Sequence, residues 1–208
     1  MNDEFIESLT DKLEPVNRLR SPFYRFWPTL LLSLFYAALV VWGLGLRPDL
    51  AFKINDPDFI FELVLSGSTF VSALFFCMIC AVPDLRGQKW VLSIPVTLFA
   101  LIFLWLGLRA MFEETGHIHI SGSHCIEDGI LLGAVPAAIL VYMIRRGATT
   151  TPWLSVGMIA LAAGMLGWSA LRLTCPLDHV GHILITHLLP FLIVGTALGL
   201  VGGRFLKW

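Results

Sequence analysis

The chain has 208 residues, 57% of them hydrophobic and only 14% charged, with a formal net charge of −1 and a mean hydropathy of +0.80. Soluble domains carry about 25% charged residues, so this composition excludes an ordinary water-soluble globule. The near-neutral charge gives no basic footprint, and direct nucleic-acid binding is not expected.

Residues 1–25 read as a polar tail. Within it Phe5, Ile6, Leu9 and Leu13 recur at helical spacing, with acids on the other face and Pro15 ending the pattern. About three turns of helix are marginal alone in water. The segment therefore reads as one that folds on a partner and lays its apolar stripe into a groove. Five acids among the first 14 residues oppose the competing reading, a helix lying on anionic lipid.

Six apolar stretches follow, at Phe26–Leu46, Phe59–Val82, Trp90–Phe112, Gly129–Ile144, Trp153–Leu173 and Val180–Val201. The fourth is the shortest and reads as starting earlier, near Cys125. A helix needs roughly 20 apolar residues to cross about 30 Å of hydrocarbon. The sequence thus predicts an all-α, polytopic membrane bundle of six transmembrane helices over 26–204, with 205–208 as a C-terminal tail. Under that topology Lys12, Arg18, Arg20, Arg25, Arg86, Lys89, Arg145, Arg146, Arg204 and Lys207 share one side. Arg47, Lys53, Arg109 and Arg172 fall at the other. The positive-inside bias places both termini in the cytoplasm. Because the tail is polar, no signal peptide is expected, and the size and economy of the chain suit a bacterial inner membrane.

All six histidines, His117, His119, His124, His179, His182 and His187, fall in outward loops or at outer helix ends, with Cys125 and Cys175. Three readings compete: a disulfide between Cys125 and Cys175 in an oxidising compartment; a site for zinc or another divalent metal, built from thiolate and imidazole; and interfacial histidines bonded to water or headgroups. His179 and His182 are three apart and share a helix face. The five-residue step from His182 turns His187 about 140° away on an α-helix.

Glu62, Arg109, Glu127, Asp128 and Arg172 lie near the outer boundary, where the expectation is interhelical ion pairs holding the helix ends together. Cys77 and Cys80, towards the inner end of the second stretch, read as small core residues. Glycines such as Gly164 and Gly167 permit close helix contacts.

The chain resembles the NrsF-type membrane anti-sigma factors, negative regulators of sigma-F-like extracytoplasmic-function (ECF) sigma factors. The likeness rests on Gly45-Leu-Arg-Pro-Asp-Leu50, Ser123-His124-Cys125, Arg172-Leu-Thr-Cys175-Pro176, His187-Leu-Leu-Pro190 and Gly203-Arg-Phe-Leu-Lys-Trp208. Thr186 stands where the family often has Trp. The resemblance implies a stress-response regulator rather than an enzyme. Its tail would hold an ECF sigma factor at the membrane, and the cysteines matching Cys125 and Cys175 would respond to metal or oxidative stress. The expected contact surface is Phe5, Ile6, Leu9 and Leu13, extended by Val16 and Leu19. The alternative is a membrane thiol–disulfide oxidoreductase using Cys125 and Cys175 with Cys77 and Cys80 as an inner pair, although no relay links them. A metal transporter is a third reading, weakened by span centres without deep polar ligands.

Overall fold

The computed structural model describes residues 19–82, 89–112, 123–147, 149–189, 191–193, 195–196 and 199–200, and every regular element among them is helical. Helix α1, Pro22–Leu44, starts with proline in its first turn, where the missing N–H has no intrahelical partner to lose. It stops at Gly45, whose φ of 85° lies in the region that favours glycine and whose N–H bonds to the Val41 carbonyl. A single turn, α2 (Leu50–Lys53), leads to α3, Pro57–Cys80, which Asp56 caps by accepting from the Asp58 N–H. A 3-10 turn at Lys89–Leu92 feeds α4, Ser93–Phe112; α5 covers Ser123–Arg145 and α6 covers Pro152–Thr174. After five residues without regular structure, α7 (Val180–His182) passes directly into a π-helical turn, Ile183–Leu188.

Five helices are long and apolar enough to cross a membrane: Pro22–Leu44, Pro57–Cys80, Trp90–Phe112, His124–Arg145 and Pro152–Thr174. They begin within a few residues of the expected stretches. The fourth does start near Cys125, and the first starts at Pro22 rather than Phe26. The expected sixth segment is described as a shorter apolar helix, Val180–Ile193. Residues 201–208 lie outside the described residues.

Helices α3 and α6 form the most extensive pairing and the buried centre of the bundle. A hydrogen bond between the Ser66 and Ser169 hydroxyls, at 2.8 Å, joins them. In an apolar solvent such a bond helps helices associate, because water offers no alternative partner. Around this pair α1, α4 and α5 turn large apolar side chains outward, among them Leu31, Phe35, Leu104 and Leu131. So much exposed apolar surface suits a protein whose solvent at this depth is lipid. Cys77 and Cys80 are fully buried within α3, which agrees with their reading as core residues.

The bundle has two distinct ends. At one, α1 starts beside the end of α3: buried Arg25 donates from Nη2 to the Met78 carbonyl at 2.7 Å and from Nε to the Arg20 carbonyl at 3.0 Å. Tyr24, Trp27, Trp90, Tyr142 and Trp153 stand exposed at that end, as rings do where they ring a membrane at headgroup depth. The opposite end gathers Arg47, Glu62, Arg109, Arg172, Asp178 and the Cys125–Cys175 pair.

At the Arg25 end the chain leaving α5 crosses α3 with no room to spare. A Cβ on Gly147 would lie 2.2 Å from the Ala81 carbonyl oxygen. Gly147→Ala must therefore push the two backbones apart, an overpacking of about 1–3 kcal/mol. The expected result is a lower midpoint in thermal unfolding of the detergent-solubilised protein. An unchanged midpoint would show that this crossing is not rigid.

Candidate functional site

The end opposite Arg25 is built on ions. The Gly45 turn brings Arg47 down onto the stretch that follows α6. There its Nη1 and Nη2 donate to both Asp178 oxygens at 3.0 and 2.9 Å, and Nη2 also reaches the Pro176 carbonyl at 3.3 Å. Arg47 further bonds Asp49 through Nε and Nη2, at 2.7 and 2.8 Å. Asp178 additionally accepts from Arg172 at 2.8 Å and pairs with Lys53 at 3.0 Å. Deeper in the bundle Glu62 of α3 pairs with Arg172 of α6 at 3.1 Å and with Arg109 of α4. The Phe59 ring takes the guanidinium carbons of Arg47 and Arg172 at 5.6 and 5.3 Å from its centroid.

This cluster settles the charges of the loops. Burial alone would raise the Asp178 carboxyl, but hydrogen bonds from Arg47 and Lys53 and the nearby Arg172 charge outweigh it and hold the group well below the usual carboxylate range. Asp49 and Asp56 are held down in the same sense by Arg47 and Lys53. The expectation of interhelical ion pairs at this end is met for Glu62, Arg109 and Arg172. Arg47 enters as an unforeseen centre, fully buried and linking the loop after α1 to the loop after α6.

Three residues before Asp178 stands Cys175, and Cys125 faces it. Cys125, half-buried in the first turn of α5, and Cys175, buried at the end of α6, place their sulfurs 3.4 Å apart. The Cys125 thiol donates, and this hydrogen bond holds the Cys175 thiol below its usual range against the opposing effect of burial. His182 adds its Nε2 at 3.5 Å from the Cys175 sulfur. His187 completes the group: one ligand atom from each of Cys125, Cys175, His182 and His187 lies within 4.8 Å of every other.

The position of His187 overturns the α-helical phasing that turned it away from His182. The Leu189 N–H bonds to the Leu184 carbonyl, five residues back, so the turn is one residue wider than an α-helical turn. A five-residue step then does what a four-residue step does in an α-helix, and the two imidazoles meet edge to face with centroids 5.2 Å apart. Thr186 supports the bulge by bonding its hydroxyl to the His182 carbonyl at 2.7 Å. Beyond it, Phe191 lies against Gly129, Gly133, Gly164 and Gly167, where any added Cβ would come within 2.7–3.2 Å of its side chain. The glycines of α5 and α6 thus cradle the helix that carries His187.

A family described as negative regulator of sigma F matches residues 9–208. The chain belongs to the NrsF family. No curated protein and no solved structure matches it. For an NrsF member the geometry sorts the sequence-derived residues clearly. Cys125, Cys175, His182 and His187 converge, and with them three of the motifs that carried the resemblance, together with Arg47 and Asp49 of the fourth. His124 is exposed, its Nδ1 3.9 Å from Glu127, and stands apart from the group. His179 caps the last helix by accepting from the Gly181 N–H at 3.1 Å. His117 and His119 lie outside the described residues, as do Phe5, Ile6, Leu9, Leu13 and Val16. Leu19 is described and exposed.

Two outcomes follow for the ion cluster. Glu62→Gln leaves Arg172 buried without its carboxylate and should lower stability by about 3–5 kcal/mol, read by unfolding in detergent; a change near zero would show that the pair is dispensable. The Asp178 pKa is depressed in the folded state, so its pairs contribute in full above the unfolded value of about 3.9 and are lost as pH falls through the folded value. Thermal scans should thus show stability falling below about pH 4, with a shallower fall in Asp178→Asn. Superimposable profiles would remove Asp178 from the acid response.

Proposed function

We propose that this protein, a negative regulator of sigma F by family, is a bacterial inner-membrane anti-sigma factor with six spans and both termini in the cytoplasm. It holds an ECF sigma factor through its N-terminal tail. The observation that carries the reading is the family match over residues 9–208. The Lys and Arg distribution supports the orientation, with Arg20, Arg25, Arg145 and Arg146 at the aromatic end and the cysteines at the other. The alternative, a thiol–disulfide oxidoreductase, is disfavoured: Cys77 and Cys80 are sealed in the core, near the opposite end of the bundle from Cys125 and Cys175.

In the resting state the stripe of Phe5, Ile6, Leu9, Leu13, Val16 and Leu19 lies on the sigma factor, and Arg25 ties the root of the tail to the end of α3. A thiol-reactive metal bridges Cys125 and Cys175, or an oxidant removes two electrons and two protons and joins their sulfurs. Either event displaces the end of α6, the central helix, whose 23 residues run about 35 Å towards the tail side. Driving a two-state element from almost wholly holding to almost wholly released takes about 5.5 kcal/mol of preference, within the range of metal–thiolate and disulfide chemistry.

Affinity purification of the intact chain should recover a sigma factor that a chain lacking residues 2–20 does not retain, as read by mass spectrometry. Recovery from neither would remove the anti-sigma reading. With both Cys125 and Cys175 replaced by Ser, metal or oxidant stress should no longer change the fraction of sigma factor at the membrane. Unchanged stress-induced release would exclude these thiols as the switch.

A further inference from the structure

We propose that Cys125, Cys175, His182 and His187 form a closed Cys2His2 site for one zinc-class divalent ion, assembled by the π-helical turn at Ile183–Leu188. The proposal rests on the sensing reading and deepens it by naming what the cysteines hold at rest: a thiol-reactive metal then acts by displacing this ion, and an oxidant by taking two electrons from the two thiolates, which joins the sulfurs and frees the ion. Ion binding itself requires no sigma factor.

Geometry comes first. Tetrahedral zinc with sulfur at about 2.3 Å and nitrogen at about 2.0–2.1 Å sets its ligand atoms roughly 3.3–3.8 Å apart. Here the two sulfurs are 3.4 Å apart, Cys175 Sγ and His182 Nε2 are 3.5 Å apart, and all four ligand atoms fall within 4.8 Å. A contraction of about 1 Å at the widest pair closes the tetrahedron. Four protein ligands with no open position describe a structural rather than a catalytic site.

Polar accounting comes second. His187 is fully buried, and among the described residues its ring nitrogens have only the Cys175 thiol beside them as a partner; His182 is buried with its Nδ1 unpartnered. Buried imidazoles are ordinarily satisfied, and leaving such groups bare costs about 1–3 kcal/mol each. An ion accepting one lone pair from each ring removes much of that penalty. Two thiolates and two neutral imidazoles also balance a dication, so the filled site is neutral in an apolar setting, and loading it releases the thiol protons.

The surroundings come third. A π turn is an expensive way to build a helix and is found mostly at functional sites. This one aligns His187 with His182, and Thr186 and the glycine-cradled Phe191 hold it on either side of that alignment. His124 and His179, equally eligible by composition, are turned to other partners.

The test uses the reduced full-length protein purified in detergent, exposed to Zn2+ or Co2+ and then desalted. One zinc per chain is expected by elemental analysis. Bound Co2+ should show visible d–d bands of tetrahedral strength together with thiolate-to-cobalt charge-transfer absorption. Cys125→Ser with Cys175→Ser should abolish the charge-transfer band. His187→Ala should keep it but weaken binding at least about tenfold, whereas His124→Ala and His179→Ala should bind as the parent does. Wild-type protein that retains no zinc and gives no tetrahedral cobalt spectrum overturns the proposal without recourse to any variant. Undiminished binding by His182→Ala/His187→Ala overturns the ligand set. Ion binding without sigma-factor retention would leave the site standing and remove the anti-sigma reading. Sigma-factor retention without ion binding would do the reverse.

Discussion

Glu62 and Arg172 face each other at 3.1 Å, each side chain about 2% exposed, in the interface between the two most buried helices. Neither charge could stand there alone. The desolvation of each amounts to several kcal/mol, and only a partner with good geometry offsets it. The rest of this end answers that requirement. Arg109 brings α4 to Glu62, Asp178 brings the chain beyond α6 to Arg172, and Arg47 brings the loop after α1 to Asp178. Four stretches remote in sequence are thus pinned within a few ångströms, and Cys175 sits three residues from two members of the network.

That proximity gives the thiols a stiff platform. Cys175 ends α6 between Arg172 and Asp178, so its backbone is fixed by ion pairs on both sides, while Cys125 approaches from α5 through the glycine contacts of that helix. The contrast with the other end is instructive. There Arg25 makes its bonds to main-chain carbonyls and the aromatic residues face outward. One end is a closed cap made of charge, and the other is an anchored rim from which the tail departs.

Much of this was legible in the sequence because membrane insertion writes itself into length and hydropathy. Span positions came through to within a few residues, and the ionisable residues near the outer boundary could be expected to pair because hydrocarbon leaves them no other option. Cys125 and Cys175 could be brought together from their places at adjoining helix ends. Arg47 was harder: a loop arginine beside Pro48 and Asp49 carries no periodicity, and its importance comes from Asp178, 131 residues away. His187 was hidden for a different reason. Phasing by 3.6 residues per turn assumes a uniform helix, and no residue from His182 to Leu188 announces a wider turn. The glycines of α5 and α6 signalled close approach, but not that the side chain filling the groove would be Phe191.

The wide turn also changes which mutations this segment can absorb. His187 and Phe191 are four residues apart, so both owe their direction to the same surplus residue. A conservative side-chain swap between His182 and His187 disturbs one contact. A single-residue deletion or insertion there rotates everything downstream by about 100°, swinging the imidazole and the aromatic anchor off their partners together. The spacing from His182 to Phe191 should consequently drift far less between lineages than the identity of the residues filling it, with the length of this stretch inherited more strictly than its letters.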